Sequence, residues 1–259
     1  MTELSWKTSI TDIKPNEVRL RGYRIDELMG SISFAEAVYL ALKGELPSAD
    51  IARMMNAILV SSIDHGASPP SALAARTVAS TGAPLNAAVA AGILSINRHH
   101  GGAIEDCMKI LQRGIDGVKQ SGETVDKTAA DLVAEYKAAG KRIAGLGHRI
   151  HTADPRTAKL FQLAQELEIA GDGVQMLNAI QSSLKEAGKT LPINVDGAIA
   201  AVLVDLNIPS ELANAIFFIA RIPGLILQAH EEQTRERPMR RIHPTEISYD
   251  GPEPRPYER

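Results

Sequence analysis

Apolar residues recur at intervals of three and four along most of the chain, which is the spacing of amphipathic helices. The stretches with this spacing are residues 49–64, 104–111, 124–139, 160–167, 173–187 and 210–228. The last of them is apolar nearly all round, which predicts a buried helix. No stretch shows sustained alternation of apolar and polar residues, so the pattern predicts an all-α protein.

The two ends of the chain depart from this pattern. Residues 8–25 carry short polar and apolar alternations around Asn16 and Gly22, so a small hairpin or an irregular arm is expected there. The tail from Arg235 onwards is dense in Pro, Arg and Glu and has no helical stripe. We expect this tail to lie extended over a surface, including that of a second subunit.

Composition supports the helical prediction. The chain has 259 residues, of which 44% are hydrophobic but only 4% aromatic. The core must therefore consist mainly of Ala, Leu, Ile and Val, which suits closely packed helices better than a β-sandwich. This length gives room for one large domain or two modest ones.

Charge and cysteine content exclude several function classes. The net charge is −3, so there is no basic excess for binding a nucleic-acid backbone. The single Cys107 cannot form an internal disulfide and lies on an apolar stripe, which indicates a core thiol. The first residues have no apolar leader segment and we expect no apolar run long enough to span a bilayer, so a cytoplasmic location is expected.

Three histidines lie next to glycine, where the backbone can approach a ligand closely: His65, His100 and His148. A zinc site is the alternative to a catalytic role for them. Apart from His148 and His151, no pair has the short spacing of helical metal ligands, and the one cysteine adds no soft ligand. We expect no metal.

The segment from Gly145 to Arg156 is the richest in candidate chemistry. Asp154 followed by Pro155 predicts a helix N-cap with proline at the first helical position. That structural role accounts for Asp154 without catalysis. It also places Arg156 in the first turn, where free N–H groups favour an anion, so Arg156 is a candidate clamp for a carboxylate beside His148.

Further charged candidates follow towards the end of the chain. Asp196 opens the apolar helix that follows it, either as a helix cap or as a general base, and local sequence leaves both open. Arg221 lies within an apolar helix, where its charge needs a partner. The arginines after position 234 are either ligands or a solvated face. Histidines, one carboxylate and several arginines suit proton transfer on a small polycarboxylate; no nucleophile elbow, Walker loop or dinucleotide fingerprint is present.

With these motifs in place, the chain resembles the citrate synthase superfamily over nearly its whole length. The motifs that carry the resemblance occur in the family's order and are Asp64-His65-Gly66, His100-Gly-Gly-Ala103, Gly145-Leu-Gly-His148-Arg149, Asp154-Pro-Arg156 and Asn194-Val-Asp196-Gly197. The resemblance implies a nearly all-helical, two-domain protomer. It implies a large domain of residues 1–104 and 208–259, and an inserted small domain of residues 105–207.

The resemblance also implies roles for individual residues. Asp196 would exchange the proton on the acetyl α-carbon, His100 would stabilise the enol, and His148 would handle the proton on the carbonyl or tertiary hydroxyl of the four-carbon acid. The side chains implied to hold substrate carboxylates are His65, Arg156, Arg221 and, from a neighbouring subunit, Arg241. The enzyme would then be a homodimer or tetramer with shared active sites.

Coenzyme A enters as part of the substrate, and no prosthetic group is implied. The residues implied to bind it are the turn Gly145, Leu146 and Gly147, together with Arg149, Lys141, Arg142 and Lys189. The arginine that crosses between subunits is assigned within the set Arg237, Arg240 and Arg241, and the sequence leaves open which of the three it is.

Departures from the synthase pattern decide the expected reaction. Ser62 stands where synthases usually have a histidine, His148 and Arg156 are one residue closer together, and Gln228 replaces a frequent histidine. These features, with the opening Thr8-Ser-Ile-Thr-Asp12, favour the family branch that cleaves citryl-CoA to acetyl-CoA and oxaloacetate. The alternatives are a citrate or 2-methylcitrate synthase, an enzyme for a related 3-hydroxy-3-carboxyacyl-CoA, and a non-catalytic CoA-binding paralogue.

Overall fold

The computed structural model describes residues 6–98, 100–147 and 152–242. Within these residues a small sheet is followed by a long series of helices. The elements are β1 (Thr11–Lys14), β2 (Glu17–Leu20), β3 (Tyr23–Arg24), α1 (Ile25–Leu28), α2 (Phe34–Lys43), α3 (Ala49–Ser61), α4 (Pro70–Ser80), α5 (Leu85–Leu94), α6 (Ala103–Ser121), α7 (Val125–Ala138), α8 (Pro155–Glu166), α9 (Asp172–Glu186), α10 (Val195–Asp205) and α11 (Ala213–Arg235), with a 3-10 turn at Ser210–Leu212. The predicted all-α class is confirmed, since the sheet is a minor addition.

The sheet confirms the hairpin alternative for residues 8–25. Its order is β1-β2-β3 with antiparallel pairing, and Thr11 lies opposite Leu20. Asn16, at φ 63°, lies in the first turn, where asparagine tolerates the left-handed region. Arg21 fastens the sheet to the helices, because its guanidinium donates to the carbonyl oxygen of Ala41 at 3.0 Å.

The helices form where the apolar spacing predicts them, and polar caps explain where two of them begin. Ser48 Oγ accepts a hydrogen bond from the Ile51 N–H at the start of α3, and Thr124 Oγ1 accepts from the Lys127 N–H at the start of α7. Cys107 is fully buried on the apolar face of α6, so the prediction of a core thiol is confirmed, and burial raises its pKa.

The segment Ser210–Arg235 corrects one expectation. By length and composition alone it could cross a membrane, although the sequence reading found no run of that kind. However, 44% of its most apolar window is buried inside the protein, and α11 packs against α3, α4 and α5. Because the core helix of a soluble protein meets the same two criteria, they are weak grounds for a membrane span.

Helix packing falls into two groups. Helices α3, α4 and α5 pack against α11, and α2 packs on α3. Helices α6, α8 and α9 pack around the almost wholly buried α10, and α7 packs on α6 and α9. A single hydrophobic cluster nevertheless runs through both groups, from Tyr39 and Met54 to Leu203 and Phe217. The division into domains at residues 104 and 208 therefore stays a prediction.

Candidate active site

Asp196 lies in the first turn of α10 but does not cap it. The N-cap is Asn194, whose Oδ1 accepts a hydrogen bond from the Gly197 N–H at 3.0 Å. The alternative that Asp196 is a helix cap is therefore wrong. Because the capping role belongs to Asn194, the carboxyl group of Asp196 is explained better by chemistry than by helix formation.

The surroundings of Asp196 favour its protonated form. Its side chain keeps partial solvent contact, but protein encloses it enough that desolvation raises the pKa of the carboxyl above its ordinary value. The positive charges of Arg156 and Arg221 oppose this rise without cancelling it, and Asp154 adds to it. A carboxyl with a raised pKa can serve as an acid as well as a base near neutral pH.

Arg221 lies in the buried middle of α11. Its Nε donates to the carbonyl oxygen of Ser62 at 2.8 Å, and its guanidinium stacks over the ring of Phe217 at 4.7 Å. Among the described residues no carboxylate lies within 4.0 Å of it. Burial lowers its pKa, although the negative charges of Asp64 and Asp196 resist the shift. An arginine in this position has unused capacity for an anionic ligand.

Arg156 lies in the first turn of α8 and already has a carboxylate partner. Asp154 caps the helix by accepting from the Arg156 N–H at 3.0 Å, which confirms the predicted cap. The same carboxylate also accepts from Arg156 Nε at 3.0 Å and from Nη2 at 2.8 Å. Asp154 thus fixes the direction of the guanidinium, and its side chain is fully buried while that of Arg156 is 23% exposed.

His100 belongs to a tight turn before α6. The backbones of Asn97 and His100 exchange two hydrogen bonds of 2.8 Å, and Gly101 has a φ of +82°. A Cβ at Gly101 would lie 2.4 Å from Ile96 Cγ2 and 2.9 Å from the ring of Phe217, so only glycine fits here. The turn therefore packs His100 near Phe217, whose ring also carries Arg221.

Buried Ser71 on α4 sets the orientation of the His100 ring. The ring nitrogen Nε2 lies 2.9 Å from Ser71 Oγ, close enough for a hydrogen bond whose direction follows the tautomer. A fixed ring is what a hydrogen-bond donor to a developing oxyanion requires, because donors must be in place before the charge forms.

His65 lies on the exposed loop that follows α3. Asp64 Oδ2 accepts from the Gly66 N–H at 2.9 Å, and Gly66 has a φ of +79°, so the loop turns sharply at the histidine. Its backbone is held on α11 through the bond from Arg221 to Ser62. The structure therefore brings the His65 loop, Arg221 and Asp196 into one region.

The turn Gly145–Gly147 is fastened to the start of α10. Asn194 Nδ2 donates to the Gly147 carbonyl oxygen at 2.8 Å, and the Asn194 N–H donates to the Gly145 carbonyl oxygen at 3.1 Å. A Cβ on Gly197 would lie 2.3 Å from the Gly145 oxygen, and one on Gly145 would lie 2.6 Å from Cys107 Sγ. Asn194 and two glycines thus hold the turn directly against the first turn of α10, which carries Asp196.

A cavity of about 750 Å³ opens beside this turn. Its lining includes Leu146, Gly147, Lys141, Arg142 and Lys189, five of the residues predicted to bind CoA. Gly145 lies behind the lining, packed against α10. Lys137 adds a fourth cation, and no carboxylate occurs among the described residues of the lining. The cavity combines apolar walls with positive charge, as an anionic ligand with an apolar part requires.

The structure leaves several predicted site residues undecided. His148 and Arg149, as well as His151 of the alternative zinc pair, lie outside the described residues. Arg241 is exposed near the end of the described chain. Arg240 is bound within its own protomer, with Nε 2.6 Å from Glu232 Oε1.

Sequence reasoning missed the residues that hold others in place. Ser71 orients His100, and Gln228 contacts both Asp64 and Arg76. The supporting residues Ser71, Gln228 and Arg76 lie in no motif. The departure at Gln228 was the one available signal. The capping role of Asn194, two residues before Asp196, was not predicted.

Comparisons with known proteins give a consistent result. The family model "Citrate synthase, C-terminal domain" matches residues 48–244. Citrate synthase of Haloferax volcanii is 32% identical over 219 residues, which is 82% of this chain and 55% of that protein. Citrate/2-methylcitrate synthase of Bacillus subtilis is 31% identical, over 86% of this chain and 57% of that protein. The chain thus spans little more than half the length of these curated relatives.

A solved structure matches over a larger share of both chains. The citryl-CoA lyase from Hydrogenobacter thermophilus is 43% identical, with a TM-score of 0.89, and the match covers 98% of this chain and 97% of that one. The similarity therefore extends over the sheet, the helices and the candidate site together.

Proposed function

The chain belongs to the citrate synthase family, and from that premise we propose that it is an enzyme that cleaves citryl-CoA into acetyl-CoA and oxaloacetate. The observation that carries the proposal is the 43% identity to a citryl-CoA lyase over nearly the full length of both chains. The identity to the citrate synthase of Haloferax volcanii is only 32%, and the match covers 55% of that protein.

The proposed reaction is a retro-aldol cleavage in which one proton moves from oxygen to carbon. His148 accepts the proton of the tertiary hydroxyl, and the carbon–carbon bond breaks as the hydroxyl carbon becomes the ketone of oxaloacetate. The bonding electrons pass to the thioester, whose enolate oxygen His100 stabilises. Protonated Asp196 then donates to the terminal carbon and gives the acetyl group. The raised pKa of Asp196 supports this last role.

The proposal assigns binding to the remaining groups. Arg221 and Arg156 would each face a free carboxylate of the substrate, together with His65 and Arg241. The cavity lined by Lys141, Arg142 and Lys189 beside Gly147 would take CoA, with phosphates on the cations and the apolar walls around the rest. The thioester itself stabilises the enolate, so the proposal needs no prosthetic group.

A synthase is the second candidate. It rests on the identity of about 30% to citrate synthases and to a citrate/2-methylcitrate synthase. The same residues serve both directions, because Asp196 in its ionised form would remove the proton from acetyl-CoA.

The deciding experiment measures both directions with purified protein. We expect oxaloacetate to appear from citryl-CoA without added nucleotide, NAD or metal. Incubation with acetyl-CoA and oxaloacetate, followed by free-thiol detection, measures citrate formation. Thiol release from acetyl-CoA without cleavage of citryl-CoA would establish the synthase and reject the lyase. Loss of cleavage with chelator, and recovery with zinc, would point to the zinc site instead.

A homodimer belongs to the same proposal, supported by apolar surface on adjacent helices. Helix α5 is apolar nearly throughout, yet Ala88 and Gly92 are its buried residues and Leu94 is 77% exposed. Neighbouring α11 exposes Ile226 and Leu227. Exposed apolar surface of this kind marks a contact with another protein or with a membrane, and the proposal assigns it to a second subunit. A cytoplasmic location is proposed as well, since the one cysteine is a free buried thiol.

We further propose that Arg241 completes the active site of the neighbouring subunit. Arg241→Ala should weaken acid binding and turnover and leave the fold intact. Mixing inactive Arg241→Ala with inactive Asp196→Asn protein, after dissociation and reassociation, should restore about a quarter of wild-type activity, since half of randomly paired dimers gain one intact site. No recovery in a mixture shown to have exchanged subunits would place both residues in one protomer's site.

A further inference from the structure

A chain of hydrogen bonds links the His65 loop to the start of the carboxyl-terminal tail. Gln228 Nε2 donates to Asp64 Oδ2 at 3.2 Å, and Gln228 Oε1 accepts from Arg76 Nε at 2.7 Å. Arg76 Nη1 donates to Glu232 Oε2 at 2.9 Å. Arg240 then donates to both oxygens of Glu232, at 2.6 and 2.5 Å. Each link joins residues of different elements.

The centre of this chain is shielded from water. Arg76 is 6% exposed and Glu232 is 2% exposed. Burial alone would raise the pKa of Glu232, but the hydrogen bonds and charges of Arg240 and Arg76 outweigh it and hold the pKa below its usual value. A buried carboxylate shared by two arginines keeps a fixed geometry, because losing either partner leaves a charge uncompensated.

One face of α11 carries the contacts to the His65 loop. Arg221, Gly224 and Gln228 lie three and four residues apart, so they share that face. Arg221 binds the Ser62 carbonyl and Gln228 binds the Asp64 carboxylate, as described above. Between them, a Cβ on Gly224 would lie 2.2 Å from the Ile63 carbonyl oxygen. The loop therefore rests directly on the helix and is held on both sides of the contact.

The other end of this series of hydrogen bonds holds the start of the carboxyl-terminal tail. The Met239 N–H donates to the Ser80 carbonyl oxygen at 3.0 Å, next to the bond from Arg240 to Glu232. These bonds fix residues 239 and 240 on α4 and α11, immediately before the exposed Arg241. The same group of side chains thus contacts the supports of two proposed carboxylate ligands, His65 and Arg241.

We propose that Gln228, Arg76 and Glu232 are positioning residues that set the His65 loop and the start of the tail as one unit for binding of the substrate's carboxylates. The proposal rests on the proposed function. None of the three touches substrate. Gln228 is the vulnerable link, because its amide must donate to a carboxylate on one side and accept from an arginine on the other.

The test exchanges the polarity of that link. Gln228→Glu keeps the shape and the acceptor for Arg76, but turns an oxygen towards Asp64. We expect the KM for citryl-CoA to rise about twofold to tenfold, because Asp64 is exposed and Gln228 half-buried, so water partly screens the two like charges. The change in kcat should be smaller. Adding Asp64→Asn to Gln228→Glu should restore most of the KM, because the new amide donates in the reverse direction and still accepts from the Gly66 N–H.

Two controls separate positioning from loss of structure. Gln175→Glu makes the same chemical change at an exposed position of α9 and should leave KM and kcat unchanged. Hydrogen exchange at the Gly66 amide should accelerate in Gln228→Glu and slow again in the double variant. Restored exchange without restored KM, or an unchanged KM in Gln228→Glu, would overturn the positioning role.

The same experiment distinguishes failure of this inference from failure of the proposed function. Absence of wild-type cleavage of citryl-CoA would reject the function, and the assay would then use acetyl-CoA condensation. If wild-type protein is active in neither direction, the proposed function fails, and the inference about substrate binding fails with it. Faster Gly66 exchange in Gln228→Glu, reversed in the double variant, would still show that Gln228 holds the His65 loop through Asp64. Active wild-type protein with an insensitive Gln228→Glu would reject the inference alone.

Discussion

The two arginines near Asp196, half-buried Arg156 and buried Arg221, lie in regions built in opposite ways. Arg156, at the start of α8, receives a carboxylate from two residues away, and Asp154 binds its backbone and its guanidinium together. Arg221, in the middle of α11, contacts the Ser62 carbonyl oxygen and the ring of Phe217. One charge is balanced locally, whereas the other is balanced at longer range by Asp64 and Asp196.

This difference indicates that Arg156 and Arg221 contribute to binding in different ways, one by orientation and the other by charge. Asp154 fixes the direction of the Arg156 guanidinium but neutralises its positive charge. Arg156 is therefore suited to orient a substrate carboxylate more than to attract it. Arg221 keeps its positive charge in a poorly solvated place, where Coulombic attraction for an anion is strong. Binding a dianionic acid benefits from both, and substitutions should separate them.

The largest effect is expected from Asp196→Asn, which removes the group that faces both arginines. Turnover should fall by about 10²–10⁴-fold, as for loss of a general acid–base group, with CoA binding little changed. Steady-state kinetics and calorimetric titration with CoA measure the two. Near-normal turnover would mean that Asp196 serves to balance the arginines and is not the acid.

Arg221→Met should give the next largest effect. We expect kcat/KM to fall by about a hundredfold, since a charged hydrogen-bond donor to a substrate carboxylate is lost. The free energy of unfolding should change little, because relief of a desolvated charge compensates the lost bond to Ser62. Arg221→Lys, which keeps the charge but not the fork, is the matched control. A large loss of stability with normal kcat/KM would make Arg221 structural.

Arg156→Met should show the reverse balance. Removing it leaves the buried Asp154 carboxylate without two of its hydrogen bonds, so stability should fall by about 1–3 kcal/mol. Denaturant titration measures this, and the loss in kcat/KM should be smaller than for Arg221→Met. The double change Asp154→Asn and Arg156→Met should recover stability, because asparagine caps a helix without needing a counter-charge. Equal stability losses at both arginines would break the comparison.

The smallest effect is a pH dependence of stability that Asp196 produces. Since the folded pKa of Asp196 is raised above the ordinary value of 3.8, the folded state binds its proton more tightly than the unfolded state. This stabilisation is present at low pH and is lost as pH rises through the folded pKa. Wild-type protein should therefore lose stability relative to Asp196→Asn as pH rises from the ordinary value of 3.8 through the raised folded pKa. Thermal unfolding of both proteins across this pH range measures the difference in stability. A difference that does not change with pH would contradict the raised pKa.

Local signals were sufficient for much of the fold and part of the site. The predicted helices formed because their apolar spacing matches the burial that the structure gives them, and Asp154-Pro155 behaved as a cap because capping involves neighbours in sequence. The predicted cluster around the Gly145 turn also came together, at one cavity and at the start of α10.

Other features depend on contacts that no local pattern contains. Gln228 meets Arg76 and Asp64 across 152 and 164 residues, and only packing of α11 on α4 and the His65 loop brings them together. Local sequence also did not show that Asn194, and not Asp196, caps α10, since both residue types cap well. By length and composition the segment Ser210–Arg235 could cross a membrane, and the sequence prediction missed this property.

The contact between Gly145 and Gly197 limits how far the sequence of this chain can vary. Neither position has room for one methyl group, since a Cβ at either would meet backbone atoms of the other within 3 Å. The first glycine supports the turn beside the proposed CoA cavity, and the second follows the proposed acid. In the proposed reaction, the two missing methyl groups would therefore set the distance between the bound CoA and the carbon that Asp196 protonates. Alanine at either position would push the Gly145–Gly147 turn away from α10. A compensating change elsewhere could move the turn, but it could not restore the close contact between positions 145 and 197.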